Sequence, residues 1–351
     1  MVSRMVLRRF LEKSEDFVVV GEANNGKRAI KAIPCEEVDI VLMDLMMPVM
    51  DGFDATRWLM SNAPLPILLV SDLVGRDAAL NFRAVEAGAL DVIRKPSAEE
   101  FEDPEVVRKL HRMIRVLANV PVVTRRPQTW KKRISHDDAG VGLDEPTEPG
   151  ERGEVAPVSL VVIGASTGGP AAVSKLLQGL QQRPRWPVII IQHITRDFAS
   201  GMAHWLGNVT KLDVRLVEEH TRLQDGVVYV APDSADLVVH GRYADLINEN
   251  EDSDDGSYPS IDVTLNSIAK TKLADETLAI LLTGMGSDGA QALKTLREKG
   301  AWTVAQDQES STVWGIPRVA GEIGAARQIL SLDAIGELLN AVPGTGRLGE
   351  K

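Results

Sequence analysis

Short apolar runs, each followed by a stretch with helical spacing, recur along the whole chain, and this alternation restricts the fold to helices laid on parallel sheets. In the first third the runs fall at 17–20, 38–43, 67–70 and 90–93, with helical patterns at 54–60 and 78–87. A longer pattern, opened by Pro104, continues to 118. Strands buried on both faces read as continuous apolar runs, as these do. A second series runs 160–163, 188–191, 214–217, 227–230, 278–282 and 302–305, with helical patterns at 171–180, 263–273 and 290–299. Between the series, residues 121–156 hold prolines, glycines and charges with no sustained period, the composition of a linker. The expectation is an α/β chain of two doubly wound parallel-sheet domains, 1–120 and 157–351, joined by a flexible linker at 121–156.

The 351 residues suffice for two cores, since domains average roughly 150 residues. A net charge of −11 weighs against a general nucleic-acid or anionic-membrane partner, because phosphates select for clusters of Lys and Arg. The one basic cluster, Arg125, Arg126, Lys131, Lys132 and Arg133, sits in the linker and is followed by acidic residues. Cys35 is the only cysteine, which excludes an intramolecular disulfide and a multi-cysteine metal site. A reducing cytoplasm fits that usage. No apolar run approaches the ~20 residues that span a bilayer, and no basic leader with an apolar stretch opens the chain. The expected location is cytoplasmic, without membrane insertion.

In the second series, GASTGGP at 164–170 follows a buried strand and opens a helix, lifting Ser166 clear of the sheet edge. His193 ends the run at 188–191, and Asp288 lies in the glycine-rich loop after 278–282. All three leave the carboxyl ends of strands, the edge along which open parallel sheets build their sites. A serine hydroxyl is a weak nucleophile until a histidine accepts its proton, and a carboxylate fixes that histidine's tautomer. Ser166, His193 and Asp288 fit those roles. Backbone N–H groups of Met285 and around Thr167 are candidate donors to an oxyanion. On the glycine turn alone nucleotide binding is the stronger reading, although GASTGG matches G-x-G-x-x-G loosely and no acidic residue ends the following strand.

Taken together, GASTGGP, IQH at 191–193, TGMGSDGA at 283–290 and AQDQESSTVWGIP at 305–317 resemble the chemotaxis protein-glutamate methylesterases, the CheB type, from 157 to the end. The resemblance implies a Rossmann-like catalytic domain in which Ser166 attacks glutamate methyl esters on chemoreceptors. His193 is then the base and Asp288 its orienting partner. The same site would deamidate certain glutamines, and it needs no cofactor. Two stretches depart from the family's usual text: ITRDF follows His193, and APDSAD stands at 231–236.

In the first series Asp44, Ser71 and Lys95 end three successive strand patterns, with Pro48 and Gly52 shaping the loop after Asp44. A carboxylate beside a hydroxyl and a lysine is suited to accept a phosphoryl group. MDLMMPVMDG and the Lys95–Pro96 pair resemble the flavodoxin-like receiver domain of response regulators. That implies Asp44 as phosphoacceptor, a sensor histidine kinase as donor, and a receiver that covers the active site until phosphorylated. Such receivers begin with a strand ending in an acidic pair that helps to hold Mg²⁺, and neither precedes MVSRMVLRRF here. Asp44 alone would hold Mg²⁺ poorly. An internal methionine taken as the start would explain the gap, and a true truncation would leave a receiver without its switch. Val92 replaces the aromatic residue often found three before the lysine. The competing functions are a nucleotide-binding regulator and a noncatalytic receptor adaptor.

Overall fold

The computed structural model describes residues 2–33, 38–71, 78–97, 100–120, 122, 156–194, 198–247 and 259–345. Cys35 and nearly all of 121–156, the expected linker, lie outside them.

The first part contains α1 (Val2–Leu11), α2 (Gly26–Ala32), β1 (Val41–Asp44), α3 (Gly52–Asn62), β2 (Ile67–Ser71), α4 (Ala78–Ala87), β3 (Asp91–Arg94) and α5 (Pro104–Ala118). The strands form a parallel sheet in the order β1-β2-β3. Side chains that accept from first-turn N–H groups set the helix starts: Asp51 caps α3, and Asp103 caps α5 with Pro104 behind it. One expected strand is absent. Residues 17–20 make no ladder, and Val18 and Val20 are 83% and 56% exposed. An apolar run becomes a strand only where a neighbour supplies hydrogen bonds. Among the described residues, no strand lies between this run and β1 to supply them.

The second part runs β4 (Leu160–Ala165), α6 (Gly169–Gln178), β5 (Val188–Gln192), α7 (Ala199–Thr210), β6 (Asp213–Leu216), β7 (Thr221–Arg222), β8 (Val227–Val230), β9 (Asp236–His240) and β10 (Tyr243–Ile247). It continues with α8 (Ile261–Ala269), β11 (Thr277–Leu281), α9 (Ala290–Glu298), β12 (Trp302–Gln306), α10 (Ile316–Glu322), β13 (Gln328–Leu330) and α11 (Leu332–Ala341). Seven strands form a parallel sheet, β13-β12-β11-β4-β5-β8-β6. Its two faces are covered separately: Val161, Ile163 and Ile190 pack toward α6, α7 and α11, whereas Val162, Ile189 and Leu281 pack toward α8, α9 and α10. The doubly wound expectation therefore holds. Each such fully buried side chain stabilises by about 1.5–3 kcal/mol before chain entropy is subtracted. The hairpin β9–β10, with β7 on its edge, is antiparallel and was not foreseen. No described helix is long and apolar enough to cross a membrane.

Candidate active site

Ser166 directly follows β4, the central strand, and both of its backbone groups are held. Its N–H donates to Thr283 O (3.0 Å), and its carbonyl accepts from Gly169 N (2.8 Å) and Gln192 Nε2 (2.7 Å). Gly168 takes φ +77°, the left-handed conformation that turns the chain into α6. Gln192, 2% exposed, also donates to His193 O (3.0 Å), so one amide ties together the carbonyls of two candidate catalytic residues. The sequence reading passed over Gln192 although it stands in the IQH motif. Both glycines of the turn are closely packed: a Cβ on Gly168 would lie 2.5 Å from Thr312 Cβ, and one on Gly169 2.0 Å from Gln192 Oε1.

His193 and Asp288 meet at this sheet edge. His193 N–H donates to Ala165 O (3.0 Å), and its Nε2 lies 2.7 Å from Asp288 Oδ2. Asp288 is oriented by more than the histidine. Its Oδ2 accepts from Ile261 N (2.7 Å), and its Oδ1 accepts from Asp262 N (3.0 Å) and Ser260 Oγ (3.2 Å). Burial alone would raise the Asp288 carboxyl, but the contact with His193 and the N–H groups of the α8 N-terminus outweigh it and hold the group below its usual range. With Nε2 on Asp288, Nδ1 is the ring nitrogen left for the serine proton. No hydrogen bond among those described joins the Ser166 hydroxyl to His193.

Gly284 is pressed against the serine: a Cβ there would stand 2.7 Å from Ser166 Cβ. Its carbonyl accepts from Gly315 N (3.1 Å) and Ile316 N (2.9 Å), which fixes the peptide plane and directs Met285 N–H to the opposite side. Neither Met285 N–H nor Thr167 N–H takes part in a described hydrogen bond, so both stay available to an oxyanion.

At the edge of the smaller sheet, Asp44, Ser71 and Lys95 converge as expected. Lys95 Nζ lies 3.7 Å from Asp44 Oδ2, and Lys95 N donates to the carbonyl of the fully buried Ser71 (3.0 Å). Gly52 packs on Asp44 so closely that a Cβ would come within 2.4 Å of its carbonyl oxygen. No group of three acidic or histidine side chains gathers among the described residues.

The two parts touch beside Ser166. Asp91, at the start of β3, accepts from Val92 N (2.8 Å) and lies within electrostatic reach of the Thr167 side chain, and burial pushes its carboxyl up to about 6 against both. Val92 packs into both cores, and Trp205 Nε1 donates to Glu86 (2.9 Å). Met285 and Val313 join the apolar cluster that holds Ile114 and Leu117 of α5. A cavity of about 530 Å³ remains between α5 and the 308–319 loop, lined by Arg112, Val116, Met285, Trp314 and Arg318 among others.

Comparison with known proteins agrees with this division. Residues 161–339 match the CheB methylesterase family and residues 1–103 the response regulator receiver domain family. The chain is 36% identical over 353 residues to protein-glutamate methylesterase/protein-glutamine glutaminase 3 of Hahella chejuensis, covering 97% of this chain and 96% of that one. It is 37% identical over 330 residues to protein-glutamate methylesterase/protein-glutamine glutaminase 2 of Methanospirillum hungatei, covering 92% and 90%. The crystal structure of the Thermotoga maritima CheB methylesterase catalytic domain aligns at 29% identity and TM-score 0.49, over 53% of this chain and 98% of that one.

Proposed function

The chain belongs to the CheB methylesterase family with a receiver domain ahead of the catalytic part, and we propose that it hydrolyses glutamate methyl esters on chemoreceptors through Ser166, His193 and Asp288. The observation that carries this reading is the 2.7 Å contact of His193 with a carboxylate at the sheet edge where Ser166 stands. Ser166 Oγ attacks the ester carbonyl while His193 Nδ1 takes its proton, giving a tetrahedral oxyanion. The N–H groups of Met285 and Thr167 are the donors we assign to stabilise it. Collapse expels methanol, with the proton returned from His193, and leaves an acyl-serine. Water, deprotonated by the same histidine, then releases the glutamate carboxylate. Asp288 stays ionised throughout, stabilising the imidazolium. A glutamine amide follows the same route with ammonia as leaving group.

In this reading the receiver restrains the reaction, because Asp91 and α5 lie against Thr167 and Met285, whose N–H groups are the candidate oxyanion donors. Phosphorylation of Asp44 by a histidine kinase would shift the receiver away from them. A serine-directed fluorophosphonate tests the assignment: it is expected to label the full chain and not Ser166→Ala. Equal labelling of both would place the nucleophile elsewhere.

A further inference from the structure

Behind Asp288 stands a second carboxyl that the reaction above does not use. Asp262, in the first turn of α8, accepts from Ala292 N (3.0 Å), so a residue of α8 caps the start of α9. Asp288, just ahead of α9, does the reverse, taking Ser260 Oγ and the N–H groups of Ile261 and Asp262 at the start of α8. The two carboxyls thus cross-cap two helices.

Such bracing is needed at this place. Asp288 lies between Gly286 (φ +95°) and Gly289 (φ +85°), in a loop with little conformational stiffness of its own. The helix starts approach so closely that a Cβ on Gly289 would stand 2.4 Å from Ile261 Cγ2. We propose that Asp262 is a positioning residue of the hydrolytic site: it fixes the turn from Gly289 to Ala292, and with it the direction in which Asp288 presents Oδ2 to His193. The inference rests on the reading of Ser166, His193 and Asp288 as the triad. Burial first, and then the charge of Asp288, raise the Asp262 carboxyl above its usual range, while Asp288 is held below its own.

The test is ester hydrolysis by the full chain carrying Asp262→Ala, Asp262→Glu or Asp262→Asn, beside Ser166→Ala, with folding checked by thermal melting. Asparagine still accepts from Ala292 N. Alanine cannot, and glutamate pushes the carboxyl one methylene out of place. The Ala and Glu variants are expected to lose about 10- to 100-fold in kcat with KM within about twofold, and the Asn variant to recover most of that loss. A folded Ala or Glu variant with the parent kcat, a loss confined to KM, or an Asn variant as poor as the Ala one would overturn the proposal. Should the Ala variant not fold, the Glu and Asn variants decide. Activity surviving in Ser166→Ala would instead remove the triad itself, whatever the position 262 variants do.

Discussion

The Asp91 carboxyl of the receiver part is buried within electrostatic reach of the side chain of Thr167, the residue next to the candidate nucleophile. The contact spans 76 positions of sequence (167 − 91) and joins a receiver strand to the turn that presents Ser166. It makes the closed arrangement depend on the protonation of one group.

Asp91 stands near 6 in the closed arrangement and would return toward 3.8 once exposed. A group whose pKa is higher when closed favours closure at low pH. That contribution is complete below about 3.8 and is lost as pH rises through about 6. The difference is on the order of 3 kcal/mol at most. Small-angle scattering should show the two parts separating as pH rises from about 4 to about 6, and Asp91→Asn should suppress that dependence. An unchanged profile in the parent protein would rule out Asp91 as the titrating group.

Glu86 is exposed and holds Trp205 across the same interface. Removing a charged acceptor costs about 1–2 kcal/mol. Basal activity of the full chain carrying Glu86→Ala should rise by about threefold to tenfold, without a change in melting of the catalytic part. A fall in activity would mean that this contact supports the enzyme instead of restraining it.

Asp288 serves two purposes, and one substitution should expose both. Asp288→Asn leaves the histidine without its anionic partner and weakens the cap of α8. The expected loss in kcat is about 10³- to 10⁴-fold, together with about 1 kcal/mol of stability, read by urea denaturation. Lost activity with unchanged stability would contradict the capping role.

Gly284→Ala is expected to reduce kcat at least about tenfold, since the added methyl would lie 2.7 Å from Ser166 Cβ and 2.8 Å from Ile316 Cδ1. Steady-state kinetics showing parent activity would mean that the loop can retreat from the serine without consequence.

What could be read in the sequence was what strand ends dictate. Ser166, His193 and Asp288, like Asp44, Ser71 and Lys95, each close an apolar run, and parallel strands bring such ends to one edge. The run at 17–20 misled because an apolar composition does not supply a ladder partner. Gln192, Asp262 and Asp91 were invisible for a different reason. Their roles come from contacts with Ser166, Ala292 and Thr167, across 26, 30 and 76 positions, and no local pattern marks such contacts.

Methanol release from methylated receptor membranes by the purified full chain, measured beside Ser166→Ala and Glu86→Ala, addresses the central claim most directly. The account predicts release that disappears with Ser166→Ala and increases with Glu86→Ala. Release that persists without Ser166, or none from either the parent or the loosened variant, would contradict it.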